Sequence, residues 1–123
     1  MKSMIKSFAC ALRGLFITFK SERNFRFHIL AMCLVVALGL YLGLSLLEWG
    51  LIIFSIGFVL VSELFNTAVE RLGDEAAQGR QNHLVRNSKD IAAAAVFLSA
   101  VTALVIGIII LFIPFVEKVL DLL

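Results

Sequence analysis

Three long apolar stretches dominate the chain, and each is nearly free of charge. Residues 27–47 hold no charged side chain, with His28 at the edge; residues 49–69 are apolar except for Ser55, Ser62, Glu63, Asn66 and Thr67; residues 91–113 are uncharged throughout. About 20 apolar residues rising ~1.5 Å each cross a hydrocarbon core of ~30 Å, so all three stretches are long enough to span a bilayer as helices. Only Glu48 and its neighbour separate the first two, which predicts a tight antiparallel hairpin. Residues 4–20 follow a different rule. Ile5, Phe8, Leu12, Leu15, Phe16 and Phe19 recur at helical spacing, beside a basic stripe of Lys2, Lys6, Arg13 and Lys20. That pattern predicts an amphipathic helix lying in the membrane interface, its cations among anionic headgroups; packing on the bundle is a compatible reading.

Composition agrees with the pattern. The 123 residues are 61% hydrophobic and 16% charged, with mean hydropathy +1.01, too little polar surface for a soluble domain of this size. The length allows one domain, residues 1–123. Cys10 and Cys33 read as small hydrophobes rather than a disulfide or metal pair. Lys6, Arg13 and Lys20 interrupt the N-terminal segment, so no cleavable signal peptide is expected. Ten of the 11 lysines and arginines precede the first span or fall in the 71–90 loop; only Lys118 follows the third. The positive-inside rule then expects the N-terminus and the 71–90 loop in the cytoplasm and the C-terminus outside. The expected fold class is therefore an all-α integral membrane protein with three transmembrane helices.

Glu63 changes the picture, because a carboxylate within a span costs on the order of 2–3 kcal/mol on insertion scales. Asn66, Thr67, Glu70 and Asp74 fall on nearly the same helical face, so a polar stripe runs from within the bilayer toward the basic side. Asparagine and threonine alone would read as glue between helices. Carboxylates repel one another, and a divalent metal, a proton pathway or a basic ligand cluster would relieve the repulsion. Glu22 belongs to the same interface, and Arg80, His83, Arg86, Lys89 and Asp90 form a charged cap near it.

Phosphoryl transfer uses such parts: a metal bridging phosphates, cations to hold them and a group that takes the acceptor's proton. Glu22 with Glu70 suits Mg²⁺, the cations around 80–89 suit the phosphates of ATP, and Glu63 lies at the depth of a lipid hydroxyl. No G-x-x-x-x-G-K-[ST] loop is present, so a kinase here would need an unrelated architecture.

The run Glu63-Leu-Phe-Asn66-Thr67-Ala-Val-Glu70, with Asp74 and then Lys89-Asp90-Ile-Ala-Ala-Ala-Ala-Val, resembles the prokaryotic diacylglycerol kinase and undecaprenol kinase family of small bacterial membrane lipid kinases. The resemblance covers nearly the whole chain. It implies Glu63 as catalytic base, Glu22 and Glu70 on the metal, and Asn66, Asp74, Lys89 and Asp90 at the nucleotide site. It further implies Arg13 and Gly14 near the lipid and phosphate entrance, and a homotrimer with active sites shared between subunits. Three spans also look too few to shield the polar stripe from lipid unaided. Two departures stand out. The 74–90 loop is one residue longer than the common spacing, so Asn82 falls at the family's histidine, with His83 able to serve by a shift of one. Ser88 replaces the usual alanine.

Glu22-Arg-Asn24-Phe-Arg26-Phe-His28 and Glu48-Trp49 resemble the undecaprenol branch. The expected activity is thus ATP-dependent, Mg²⁺-assisted phosphorylation of undecaprenol, with diacylglycerol as the alternative acceptor. Membrane lipids are the other expected partners, nucleic acid is not one, and the expected site of action is the bacterial cytoplasmic membrane. A non-enzymatic ion- or proton-conducting oligomer is the competing class. A pore would need polar groups through the full depth, and 49–58 offers only Ser55 and glycines.

Overall fold

The computed structural model describes residues 2–122 and is helical nearly throughout. Helix α1 (Lys2–Ser21) is followed after one extended residue by α2 (Arg23–Leu42), then α3 (Leu46–Ala77) and α4 (His83–Gly107). A single π-helical turn, Ile108–Phe112, joins α4 to α5 (Ile113–Leu120). Three of these rods are long and apolar enough to cross a membrane: α2, α3 and the continuous run His83–Leu120. The last run is 38 residues long and contains an 18-residue window of mean hydropathy 3.0; with three such rods the chain is a multi-pass membrane protein.

The ends of the elements follow local chemistry. Arg26 Nη1 donates to the carbonyls of Phe19 and Lys20 at 3.1 and 3.0 Å, which closes α1 against the start of α2. Gly43, at φ 75°, stops α2 in the left-handed conformation that glycine adopts without a Cβ penalty. Ser45 then caps α3 in a reciprocal box: Glu48 N–H donates to Ser45 Oγ, and Glu48 Oε2 accepts from Ser45 N–H at 2.7 Å. Glu48 therefore lies in the first turn of α3 rather than between spans, and the hairpin turn is 43–45.

The 71–90 segment, expected as a loop, is mostly helix. α3 continues to Ala77 and α4 begins at His83, leaving only 78–82 outside. No proline or glycine pair interrupts 71–77, and Asn82 supplies the N-cap of α4, its Oδ1 accepting from Leu84 and Val85 N–H at 2.9 and 3.3 Å. At the other end, helix continues past the expected limit of 113. Pro114 cannot donate to Ile110 O and its ring crowds that carbonyl; the widened π turn just before it absorbs the defect without ending the rod.

α3 packs chiefly along α4. Lipid tails are as apolar as leucine, so close van der Waals fit rather than transfer from water must hold such helices. Gly73 permits that fit at one end, where an added Cβ would lie 3.1 Å from Val85 Cγ1. Near the other end Ile52, Ile110 and Leu111 form the core, with Leu38, Trp49 and Ile106 packed against it. Helix α2 is looser: only Phe25 and Gly39 are buried. The apolar face of α1, from Ile5 to Phe19, is exposed.

Candidate active site

The polar stripe of α3 faces inward. Glu63 is 3% exposed, Asn66 9% and Thr67 5%, whereas Glu70 is half-buried and Asp74 exposed. A single chain thus shields the deep half of the stripe, Glu63 to Thr67, but leaves Glu70 half-covered and Asp74 exposed. The physical reason is the position of Glu63 in the middle of the face that α3 turns toward its neighbours, flanked one and two turns earlier by buried Val59 and Ser55.

Along the stripe, Asn66 Nδ2 donates weakly to Glu70 Oε1 at 3.5 Å, and Asn66 Oδ1 is buried with no hydrogen-bond donor. Burying an acceptor unpaired is costly, and within the chain Asn66 Oδ1 goes unsatisfied. No hydrogen bond to Glu63 is found among the described residues. Glu70 follows Glu63 about two turns on along the same helix, and Glu22 is bound to that end of α3 through Arg71, the residue after Glu70. Glu22 sits in the α1–α2 break, tied to α3 by Arg71 at 3.5 Å. Nothing local in the sequence signals the Arg71–Glu22 pair, whose partners lie 49 residues apart.

At the end of the stripe the cap is real but offset. Lys89 Nζ donates to Asp74 Oδ1 at 2.7 Å, joining α4 to α3 beside Gly73. Beyond it, Arg80, Asn82, His83, Arg86, Lys89 and Asp90 line a cleft of about 360 Å³. Cations outnumber the one carboxylate there, and the start of α4 adds the positive end of a helix dipole. Asn82, engaged in capping, has its oxygen committed to α4's own amides, while His83 is exposed on the cleft. Glu63, Asn66 and Glu70 do not line it. The structure therefore brings the sequence-derived residues into two groups, carboxylates along α3 with Glu22, and cations at the α4 start, with the Asp74–Lys89 pair between them. Arg13 and Gly14 stand apart on the exposed face of α1, where Gly14 has open space around it.

The donor chemistry can be matched to a metal. Among the described residues no three His, Cys, Asp or Glu side chains converge as a metal cage. Mg²⁺ is commonly held by one or two carboxylates together with substrate phosphates, which suits Glu22 and Glu70 as hard oxygen donors.

Fold and site together define a class: a multi-pass helical membrane protein whose carboxylates descend one helix to a cationic cleft, the parts of a phosphotransferase acting at a membrane. The chain belongs to the prokaryotic diacylglycerol kinase family, whose model matches residues 9–111, and it is a lipid kinase. It is 40% identical over 114 residues to the undecaprenol kinase of Bacillus subtilis, covering 93% of this chain and 91% of that one. The diacylglycerol kinase of Haemophilus influenzae is 34% identical over 96 residues, 78% of this chain and 80% of its own. A third relative, the diacylglycerol kinase of Synechocystis sp., is 30% identical over 105 residues, which span 85% of this chain and 60% of that protein.

Proposed function

We propose that this lipid kinase phosphorylates undecaprenol at the expense of ATP, with Glu63 as general base. The observation that carries the reading is the inward stripe. A carboxylate 3% exposed within a span, with a buried acceptor one turn on and carboxylates at the membrane edge, is difficult to explain as packing. A lipid alcohol carries its hydroxyl near headgroup level, where Glu63 would accept the proton as the oxygen attacks the terminal phosphate of ATP. Asn66, with its unpaired Oδ1, would orient a reacting group beside it. His83, Lys89 and Asp90 would hold the nucleotide at the cleft, and Asp74 would keep Lys89 in place through their 2.7 Å contact. Glu22 and Glu70 would hold Mg²⁺, which neutralises phosphate charge during transfer. Arg13 and Gly14 would mark the lipid entrance on α1, lying in the membrane interface.

Topology and assembly complete the proposal. The 71–90 segment and N-terminus face the cytoplasm of the bacterial plasma membrane, as the lysine and arginine bias favours. The protein acts as a homotrimer, supported by the offset of the carboxylates from the cationic cleft within one chain and by the sparse packing of α2. The acceptor assignment rests on the relative named undecaprenol kinase, together with the Glu22–His28 run; the relatives named diacylglycerol kinases favour the second reading. Turnover of both lipids by purified protein with Mg-ATP decides between them. A higher kcat/KM for undecaprenol is expected, and a higher value for diacylglycerol sinks the assignment.

A further inference from the structure

Glu22 occupies the one extended residue between α1 and α2, at φ −100° and ψ 116°. Its Oε1 accepts from Ser21 Oγ at 2.8 Å and lies 3.5 Å from Arg71 Nη2. The same Nη2 donates to Ser21 Oγ at 2.6 Å, across 50 residues of sequence. One guanidinium thus fastens the α1–α2 corner to α3, at the residue directly after Glu70. From the other side, Arg26 grips the carbonyls of Phe19 and Lys20, so side-chain bonds brace the corner on both sides. All the side-chain bonds to Glu22 converge on Oε1; among the described residues Oε2 has none.

An ion pair with half-exposed partners contributes little stability. Its significance is positional. Glu22 and Glu70 come from separate helices, and like charges drive them apart; a cation adjacent in sequence to one and bonded to the other opposes that separation. We propose that Arg71, through Ser21, is a positioning residue that holds Glu22 beside Glu70 with Oε2 available to a divalent cation. This rests on the reading of Glu22 and Glu70 as the metal carboxylates. Arg71 itself touches no reacting atom. Loss of groups that orient a ligand typically weakens metal binding 10–100-fold, and the exposure here argues for about the lower end.

The test is Mn²⁺ titration of the purified full chain in detergent, read by the loss of the free-ion paramagnetic resonance signal. Arg71→Gln is expected to weaken Mn²⁺ binding about tenfold, Ser21→Ala to weaken it less, and Arg71→Lys to fall between Gln and the original. In turnover, Arg71→Gln should raise the Mg²⁺ concentration needed for half-maximal rate more than it lowers the rate at saturating Mg²⁺. Unchanged or tighter Mn²⁺ binding by Arg71→Gln overturns the proposal; if that variant does not fold, unchanged binding by Ser21→Ala does the same. Glu22→Gln separates the two levels. If it weakens Mn²⁺ binding while Arg71→Gln and Ser21→Ala do not, the positioning role alone fails. If Glu22→Gln leaves binding intact, the metal assignment fails and takes this proposal with it.

Discussion

At the residue scale, the stripe of α3 separates chemistry from packing. Glu63→Gln keeps the size and most of the polarity of the side chain but removes its capacity to take a proton. Transfer by this variant should fall about 10²–10⁴-fold, with folding retained as judged by thermal unfolding in detergent. Near-normal turnover would remove Glu63 from the proposed role. Asn66 offers a sharper contrast. Its bond to Glu70 is long, at 3.5 Å, and its buried Oδ1 has no donor, so the amide contributes little to the folded state. Asn66→Leu is therefore expected to be neutral or stabilising in thermal unfolding while turnover collapses. A marked fall in stability would show that Asn66 is helix glue after all.

At the scale of elements, the sequence was legible where the rule is local. The amphipathic period of 4–20 and the apolar runs correspond to α1 and the long rods, and Ser45-x-x-Glu48 carries the signature of the capping box that fixes the hairpin. Helix limits were less legible, because the 71–90 stretch is polar without being a breaker: charged residues continue a helix perfectly well outside lipid. Asn82 shows the point. As an N-cap it explains why α4 starts where it does, and Asn82→Ala should cost about 1 kcal/mol of stability, read as a lowered unfolding midpoint. Gly39 is the corresponding test for the hairpin. A Cβ there would meet Trp49 Cη2 at 2.9 Å and Leu44 Cδ1 at 3.0 Å, so Gly39→Ala should destabilise by about 1–3 kcal/mol. An unchanged midpoint would mean that Trp49 swings aside at no cost.

At the scale of the whole molecule, most large apolar side chains remain exposed, including Phe27, Leu30 and Leu34 of α2 and Phe54, Phe65 and Phe97 elsewhere. In water this surface would aggregate; in a bilayer it is the lipid-facing belt and leaves room for further subunits. If the proposed site is shared between subunits, the carboxylates of one chain meeting the cationic cleft of another, mixing inactive Glu63→Gln with inactive Asp90→Asn before assembly should recover part of the activity. Recovery absent from co-refolded mixtures would argue for sites complete within one chain.

By itself, the sequence determined the class and the cast. The apolar runs require spanning helices because a backbone in lipid must satisfy its own hydrogen bonds, and the carboxylates at helical spacing share a face by geometry alone. What the sequence left open was decided by contacts between distant segments. Only the packing of α3 against its neighbouring helices sets how deeply Glu63 is buried and leaves Asn66 Oδ1 without a donor. The Lys89–Asp74 bond between helices and Arg71's reach to Ser21 and Glu22 likewise depend on tertiary structure. The reason is physical: periodicity fixes directions around one helix axis, whereas distances between side chains of different helices depend on how the axes pack.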